Sequence, residues 1–284
     1  ISVPTSRPST GSFDHVTTDS QLERLVDQLA RQPFLGFDTE FVSEHTYRSQ
    51  LCLIQVAAPG VLAVIDTLAV TELDSFWQLM TAPERTTLVH AGREEMGFIL
   101  HAIGQRPSNL FDIQLAAGLV DHDYPAGYAA LVRRLVKAQT NKGETRTDWR
   151  RRPLSAAQLD YALDDVRYLE PMWRKLQNKL SETGRAEWMQ AEMRAWQDDV
   201  AASFTRKRWR RISGLGGLSR RELAVAREVW HWRDAVAEQR DMPPKRVLRD
   251  DLIVELCKRK SADPQKISAI RGMQRSDLRH ILPG

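Results

Sequence analysis

Cysteine is nearly missing from this 284-residue chain: Cys52 and Cys257 stand 205 positions apart and form no C-x-x-C pair. They allow neither a disulfide framework, nor a disulfide-linked partner, nor a cysteine-based zinc site. Long apolar runs are missing as well. The longest, residues 51–65, is broken by Gln55 and Pro59-Gly60 and falls short of the ~20 residues that a membrane-spanning helix needs. The opening ISVPTSRPSTGSF begins without Met and lacks the basic stretch followed by an apolar run that marks a secretory signal. Residues 1–12 read as a disordered leader, and the expectation is a soluble cytoplasmic protein without a membrane partner. With 42% hydrophobic and 27% charged residues, the chain has the composition of a folding protein and room for about two domains.

A formal net charge of +4 hides an asymmetry. Residues 1–200 hold 21 basic and 27 acidic side chains, whereas residues 201–284 hold 20 basic and 10 acidic ones. An acidic part joined to a basic tail suggests two roles, with an anionic partner such as nucleic acid or a membrane surface on the basic side.

Apolar periodicity predicts a short helix through Leu22, Leu25 and Leu29, with Ser20-Gln21-Leu22-Glu23 as a candidate capping box. Strand-like runs follow at 34–42, 50–58 and 61–68, the last two joined at Pro59-Gly60 and therefore expected to pair antiparallel. A helix at 72–80, a strand at 87–90, a helix at 93–103 and a short strand at 109–112 come next. The remainder to about residue 200 reads as helical, interrupted by the polar, basic segment 140–152. Beyond a basic run at 206–211 and the glycines of 214–217, Ser219-x-x-Glu222 caps another helix, and the tail reads as small and all-α.

The most informative segment is Phe34-Leu-Gly-Phe-Asp-Thr-Glu-Phe-Val42. Strand side chains alternate, so Asp38 and Glu40 share one face while Phe37, Thr39 and Phe41 share the other. Two carboxylates side by side in an apolar strand repel each other and lose solvation. A hard divalent cation such as Mg²⁺ or Mn²⁺ removes both penalties, although a solvated edge strand would need no ion. Tyr161 and Asp165 are i, i+4 neighbours on a helix. A tyrosine hydroxyl beside a metal-bound carboxylate could position a water, although Tyr-x-x-x-Asp is also an ordinary surface pairing. At His90-Ala-Gly-Arg-Glu-Glu95 a strand gives way to a helix, where the dipole alone would favour Glu94 and Glu95 and His90 could be a core residue.

Taken in order, Asp-x-Glu on a first strand, an acid at a strand-to-helix junction and Tyr-x-x-x-Asp on a later helix resemble the tyrosine subclass of the DEDD exonuclease superfamily. Phe37-Asp-Thr-Glu-Phe41, Gln50-Leu-Cys-Leu-Ile-Gln55, Asn109-Leu-Phe-Asp-Ile-Gln114 and Asp148-Trp-Arg-Arg-Arg-Pro-Leu154 resemble the ribonuclease D family within it. The tail resembles its helicase-and-RNase-D C-terminal (HRDC) domain through Trp232-Arg233, Arg240-Asp-Met-Pro-Pro244, Val247 and Ile270-x-Gly272. The family often carries a second such domain, of which this sequence has no copy.

The resemblance implies an α/β fold: a ribonuclease H-like mixed-sheet exonuclease domain over 13–200 with a helical extension, a basic linker over 201–213, and an all-α HRDC domain over 214–284. It also implies a metal-dependent 3′-5′ exoribonuclease that trims structured RNA such as tRNA precursors, acting as a monomer with two divalent cations, Mg²⁺ or Mn²⁺. Asp38, Glu40 and Asp165 would hold the metals and Tyr161 would orient the attacking water. Glu95 would be the fourth carboxylate, where the family pattern has Asp, with Glu94 and Asp112 as fallbacks. His90, Lys142, Trp149 and Arg152 would contact nucleic acid, helped by the basic segment around them. A 3′-5′ DNA exonuclease, and a non-catalytic nucleic-acid-binding protein with a degraded site marked by Glu95, are the alternatives.

Overall fold

The computed structural model describes residues 12–120, 124–140, 147–205 and 208–274. The chain divides into two compact units: Ile1–Phe41 with Leu51–Thr205, and Val42–Gln50 with Arg206–Gly284.

The first unit is built on six strands: β1 (Asp14–Val16), β2 (Phe34–Val42), β3 (Gln50–Ala58), β4 (Val61–Asp66), β5 (Thr86–Val89) and β6 (Leu110–Asp112). Their order across the sheet is β1-β4-β3-β2-β5-β6. The expected hairpin is present, with β3 and β4 antiparallel from Leu53↔Asp66 to Ala58↔Val61. The pairs β1–β4, β2–β5 and β5–β6 are parallel, which makes the sheet mixed. In the β2–β5 register Phe34, Leu35 and Gly36 face Thr86, Thr87 and Leu88.

Eight α-helices accompany these strands among the described residues: α1 (Asp19–Leu29), α2 (Asp74–Gln78), α3 (Arg93–Ile103), α4 (Ile113–Leu119), α5 (Tyr128–Leu131), α6 (Ala156–Arg167), α7 (Leu169–Glu182) and α8 (Ala186–Thr205). The residue-200 boundary expected from sequence falls inside α8. Leu22, Leu25 and Leu29 of α1 are buried at helical spacing, as the periodicity predicts. Its capping box, however, lies two residues earlier than Ser20 and Glu23. Thr18 is extended (φ −136°, ψ 153°) and its side chain accepts from the Gln21 amide, while the Gln21 side chain reaches back to the Thr18 amide.

A glycine in β2 lets Leu169 of α7 approach the sheet closely. A Cβ on Gly36 would stand 2.9 Å from Leu169 Cδ1 and 3.3 Å from its Cβ, so a side chain there would make Leu169 shift. Phe34, Leu35, Phe37, Ile54, Val56, Ile65, Leu88, Ile99, Met172 and Leu176 belong to the resulting core.

The second unit carries α9 (Arg220–Gln239), α10 (Pro244–Val247), α11 (Asp250–Arg259) and α12 (Pro264–Ser268). The Ser219–Glu222 capping box is formed as predicted. Ile212, Ala226, Leu248, Leu252, Ile253, Ile270 and Met273 make its core. Arg233 is buried within it, donating to the Leu248 carbonyl at 2.9 Å and to Asp250 Oδ1 at 2.7 Å.

Candidate active site

Four carboxylates from three elements converge in the first unit. Asp38 and Glu40 come from β2, Glu95 from the first turn of α3, and Asp165 from the last turn of α6. All four titrate above the ordinary carboxylate range. Burial is the first cause for Asp38, followed by the charges of Asp165 and Glu40. Glu40 is pushed up to about 8 by burial and then by Asp165 and Glu95. Asp165 rises to about 7 through burial and the adjacent Asp164, against a lowering hydrogen bond from the Tyr161 hydroxyl. Burial and Asp38 raise Glu95.

No Lys, Arg or His is among the groups that set these four carboxyls. The cluster is therefore a set of hard oxygen donors without a counter-ion, which fits divalent cations and disfavours soft ones. Among the described residues no three such groups already stand at ligand spacing around one point.

Each element is locally determined. Ser155 caps α6 and accepts from the Gln158 amide at 3.2 Å, while Gln158 Oε1 accepts from the Ser155 amide at 2.9 Å. This box starts the helix so that Tyr161 and Asp165 fall on one face, and the sequence reading missed it. The Trp149 ring lies 6.2 Å from that of Tyr161 and supports it. Between β5 and α3, Ala91 adopts a left-handed φ of 55°, a conformation that costs a non-glycine residue free energy. Asp112 holds this turn by accepting from the Ala91 amide at 3.1 Å and the Gly92 amide at 2.9 Å. Gly92 itself tolerates no side chain, because a Cβ would meet Val89 Cγ2 at 2.4 Å.

Burial separates Glu94 from Glu95: Glu94 is exposed and Glu95 is 5% exposed. Glu95 Oε1 accepts from Thr39 Oγ1 at 2.6 Å, and its carboxyl neighbours that of Asp38, whose charge helps to raise its pKa. Asp112, the other fallback, is a structural acceptor that also caps α4.

Comparison with known proteins gives this arrangement a family. The family model described as 3′-5′ exonuclease matches residues 13–181, and the HRDC domain model matches residues 222–283. Ribonuclease D of Nitrobacter hamburgensis is 33% identical over 92% of this chain and 69% of its own length. The chain belongs to the ribonuclease D family. Ribonuclease D of Gluconacetobacter diazotrophicus is 34% identical over 92% of the chain and 66% of that protein, so the chain spans about two thirds of the length of such relatives. The crystal structure of Escherichia coli RNase D, described as an exoribonuclease involved in structured RNA processing, superposes with a TM-score of 0.84 at 29% identity, covering 96% of this chain and 76% of the other. The catalytic core of RRP6 from Trypanosoma brucei shares the fold, with a TM-score of 0.70 at 23% identity over 98% of this chain and 81% of that one.

The residues expected to contact nucleic acid in this ribonuclease D family member are placed differently from the carboxylates. Trp149 is 3% exposed and packs inward, so its ring is not a free stacking platform. His90 turns its Nε2 to the Ala126 carbonyl at 3.0 Å and its ring edge to Tyr128; burial lowers its pKa, which favours a neutral ring at pH 7. Arg152 forms a two-pronged pair with Asp66, Nε to Oδ2 at 2.5 Å and Nη2 to Oδ1 at 2.6 Å. Lys142 lies outside the described residues. Exposed basic side chains remain at Arg133, Lys137 and Arg151. Among the described residues no helix is long and apolar enough to cross a membrane.

Proposed function

We propose that the protein is a 3′-5′ exoribonuclease that hydrolyses phosphodiester bonds from RNA 3′ ends, with structured RNA such as tRNA precursors as its substrate class. One observation carries this reading: four carboxylates, Glu95 buried and Asp38, Glu40 and Asp165 half-buried, are gathered in one place, and among the described residues no cation is a cause of their raised pKa values. Asp38, Glu40, Glu95 and Asp165 would hold two divalent cations, Mg²⁺ or Mn²⁺. When bound, two such ions stabilise charge on the attacking and leaving oxygens of an in-line displacement.

The chain's own residues supply the rest. The Tyr161 hydroxyl donates to the Asp165 carboxylate and its remaining lone pair can orient a water for attack. Burial and the neighbouring acids hold the Tyr161 pKa above its ordinary value, so in the metal-free protein the group is a phenol at neutral pH. Glu95 keeps the charge that the family pattern places at this junction, and Thr39 fixes its longer side chain.

The exonuclease unit spans 13–200 and the HRDC unit 214–284 in this reading, joined by the basic segment 201–213. The excess of basic residues in the tail supports a nucleic-acid-binding role for the HRDC unit. Operation as a cytoplasmic monomer completes the proposal.

The test is incubation of the protein with 3′-labelled and 5′-labelled single-stranded RNA and DNA in Mg²⁺ or Mn²⁺. Mononucleotides released from the 3′ end of RNA are the expected product. Equal release from DNA would make it a general 3′-5′ exonuclease. Binding without cleavage in either metal, with no gain in Glu95→Asp, would make it a non-catalytic binding protein.

A further inference from the structure

Tyr128, the first residue of α5, belongs to none of the family motifs, yet it touches α6, which delivers Asp165, and His90 in the connection that leads into the helix of Glu95. Its hydroxyl donates to the Asp164 carbonyl at 2.7 Å and accepts from the Tyr168 amide at 3.3 Å. Residues 164 and 168 are i and i+4, the two ends of one rung of an ordinary α-helix. The hydroxyl thus bridges the two groups that this rung would join directly, and the Tyr168 amide also turns to the Val166 carbonyl. Side chains that enter a ladder in this way bend or break the helix.

The break is visible. α6 ends at Arg167, Tyr168 leaves helical geometry (φ −103°, ψ 2°) and α7 begins at Leu169. The interrupted rung encloses Asp165, and Tyr161 stands one turn before it. On its other side, the Tyr128 ring meets the His90 ring edge-on, with centroids 5.5 Å apart and planes at 75°. His90 leads directly into the Ala91-Gly92 turn from which Glu95 projects.

A phenylalanine would fill the same volume and leave α6 free to close its own rung. We propose that Tyr128 is a positioning residue, whose hydroxyl sets the last turn of α6 and with it the place of Asp165 and Tyr161 relative to Glu95. The proposal rests on the four-carboxylate reading of the site.

The test compares Tyr128→Phe with the full-length protein in steady-state RNA cleavage, at a temperature where circular dichroism reports complete folding. Because ångström-scale misplacement of a reacting group costs up to about 100-fold, kcat is expected to fall about 10-fold to 100-fold, with RNA binding in EDTA unchanged. Incorporating 4-aminophenylalanine at position 128 restores a donor to the Asp164 carbonyl and is expected to recover most of kcat. Arg85→Lys serves as the structural control: Arg85 is buried and donates to the carbonyls of Ala30, Gln32 and Leu79, away from the site. It should lose thermal stability while keeping kcat.

Wild-type kcat in Tyr128→Phe beside an inactive Asp165→Asn would overturn the positioning role alone. So would failure of the amine to rescue, or a loss no greater than that of Arg85→Lys. Normal turnover in Asp165→Asn would remove the carboxylate reading and this proposal with it.

Discussion

Arg152 offers a test in which two readings of one residue predict opposite results. As one of three consecutive arginines in a basic segment it resembles a phosphate contact, but its guanidinium is already committed to partners within its own unit. It pairs with Asp66 through two bonds, donates from Nη2 to the Cys52 carbonyl at 3.0 Å, and from Nη1 to the Trp149 and Arg151 carbonyls at 2.7 and 2.9 Å. The Asp66 side chain is 5% exposed and that of Arg152 is 26% exposed. Arg152→Met keeps the aliphatic stem and leaves a buried carboxylate without its partner. Breaking such a pair from one side costs about 3–5 kcal/mol when both members are buried; with one partner a quarter exposed, about 2–4 kcal/mol is expected here.

Urea denaturation followed by circular dichroism measures that loss, and Asp66→Asn in the same chain should recover part of it by removing the stranded charge. The pH dependence has a defined sign. Burial works to raise the Asp66 carboxyl, but the hydrogen bonds and charge of Arg152 outweigh it and leave the pKa lowered. The stabilisation is therefore present above the ordinary Asp range and disappears as pH falls through the lower folded value. If Arg152→Met instead unfolds like the wild type and the salt slope of RNA binding drops by about one, the internal clamp is refuted and Arg152 is a phosphate contact.

Asp38→Asn should lower RNA cleavage by about 10²–10³-fold, the scale of a single preorganised electrostatic group, while a gel-shift assay finds RNA binding intact; retained turnover refutes its role. With Glu40 at about 8 and Asp165 at about 7, the chelated protein should be most stable near the ordinary carboxylate range and lose stability as pH rises through 7–8. Divalent cations should offset that loss and bind more tightly at higher pH because they displace protons. Melting curves in EDTA that are flat or rise between pH 5 and 8 contradict this. Glu95→Asp withdraws the carboxylate from Thr39 Oγ1 and should slow cleavage by about 10-fold, given the sensitivity of reaction to ångström displacements; a faster enzyme would mean that the site is built for Asp.

The carboxylate site was legible in sequence because alternation in a strand and the i, i+4 spacing of a helix are local properties. Those periods pair Asp38 with Glu40 and Tyr161 with Asp165 but leave each pair an ordinary reading, a solvated edge strand or a surface pairing, and the family resemblance is what joins them into one site. What remained illegible depends on partners distant along the chain. Nothing in the run of arginines says that Asp66, 86 residues away, takes one of them. Neither helix dipole nor periodicity separates Glu94 from Glu95; the Thr39 hydroxyl, 56 residues earlier, does. Tyr128 carries no motif, since its function lies in a hydrogen bond that another helix fails to make for itself. The α1 cap was misplaced because two overlapping capping patterns were available and only backbone geometry selects between them.

The shortness of β5 has a consequence for how this site can vary. Its register with β2 runs through Gly36, and β5 ends at Val89 while β2 continues to Val42. The chain then turns into α3, and Glu95 comes to the flank of β2 beside Thr39, hydrogen-bonding Thr39 while also reaching Asp38, although these two side chains leave opposite faces of the strand. An acid can do this only from the side, where a continuing neighbour would have run. Lengthening β5 by a residue pair would complete the sheet and evict the fourth carboxylate. Insertions at the β5–α3 junction should accordingly be far less tolerated than insertions in any exposed loop of the same unit.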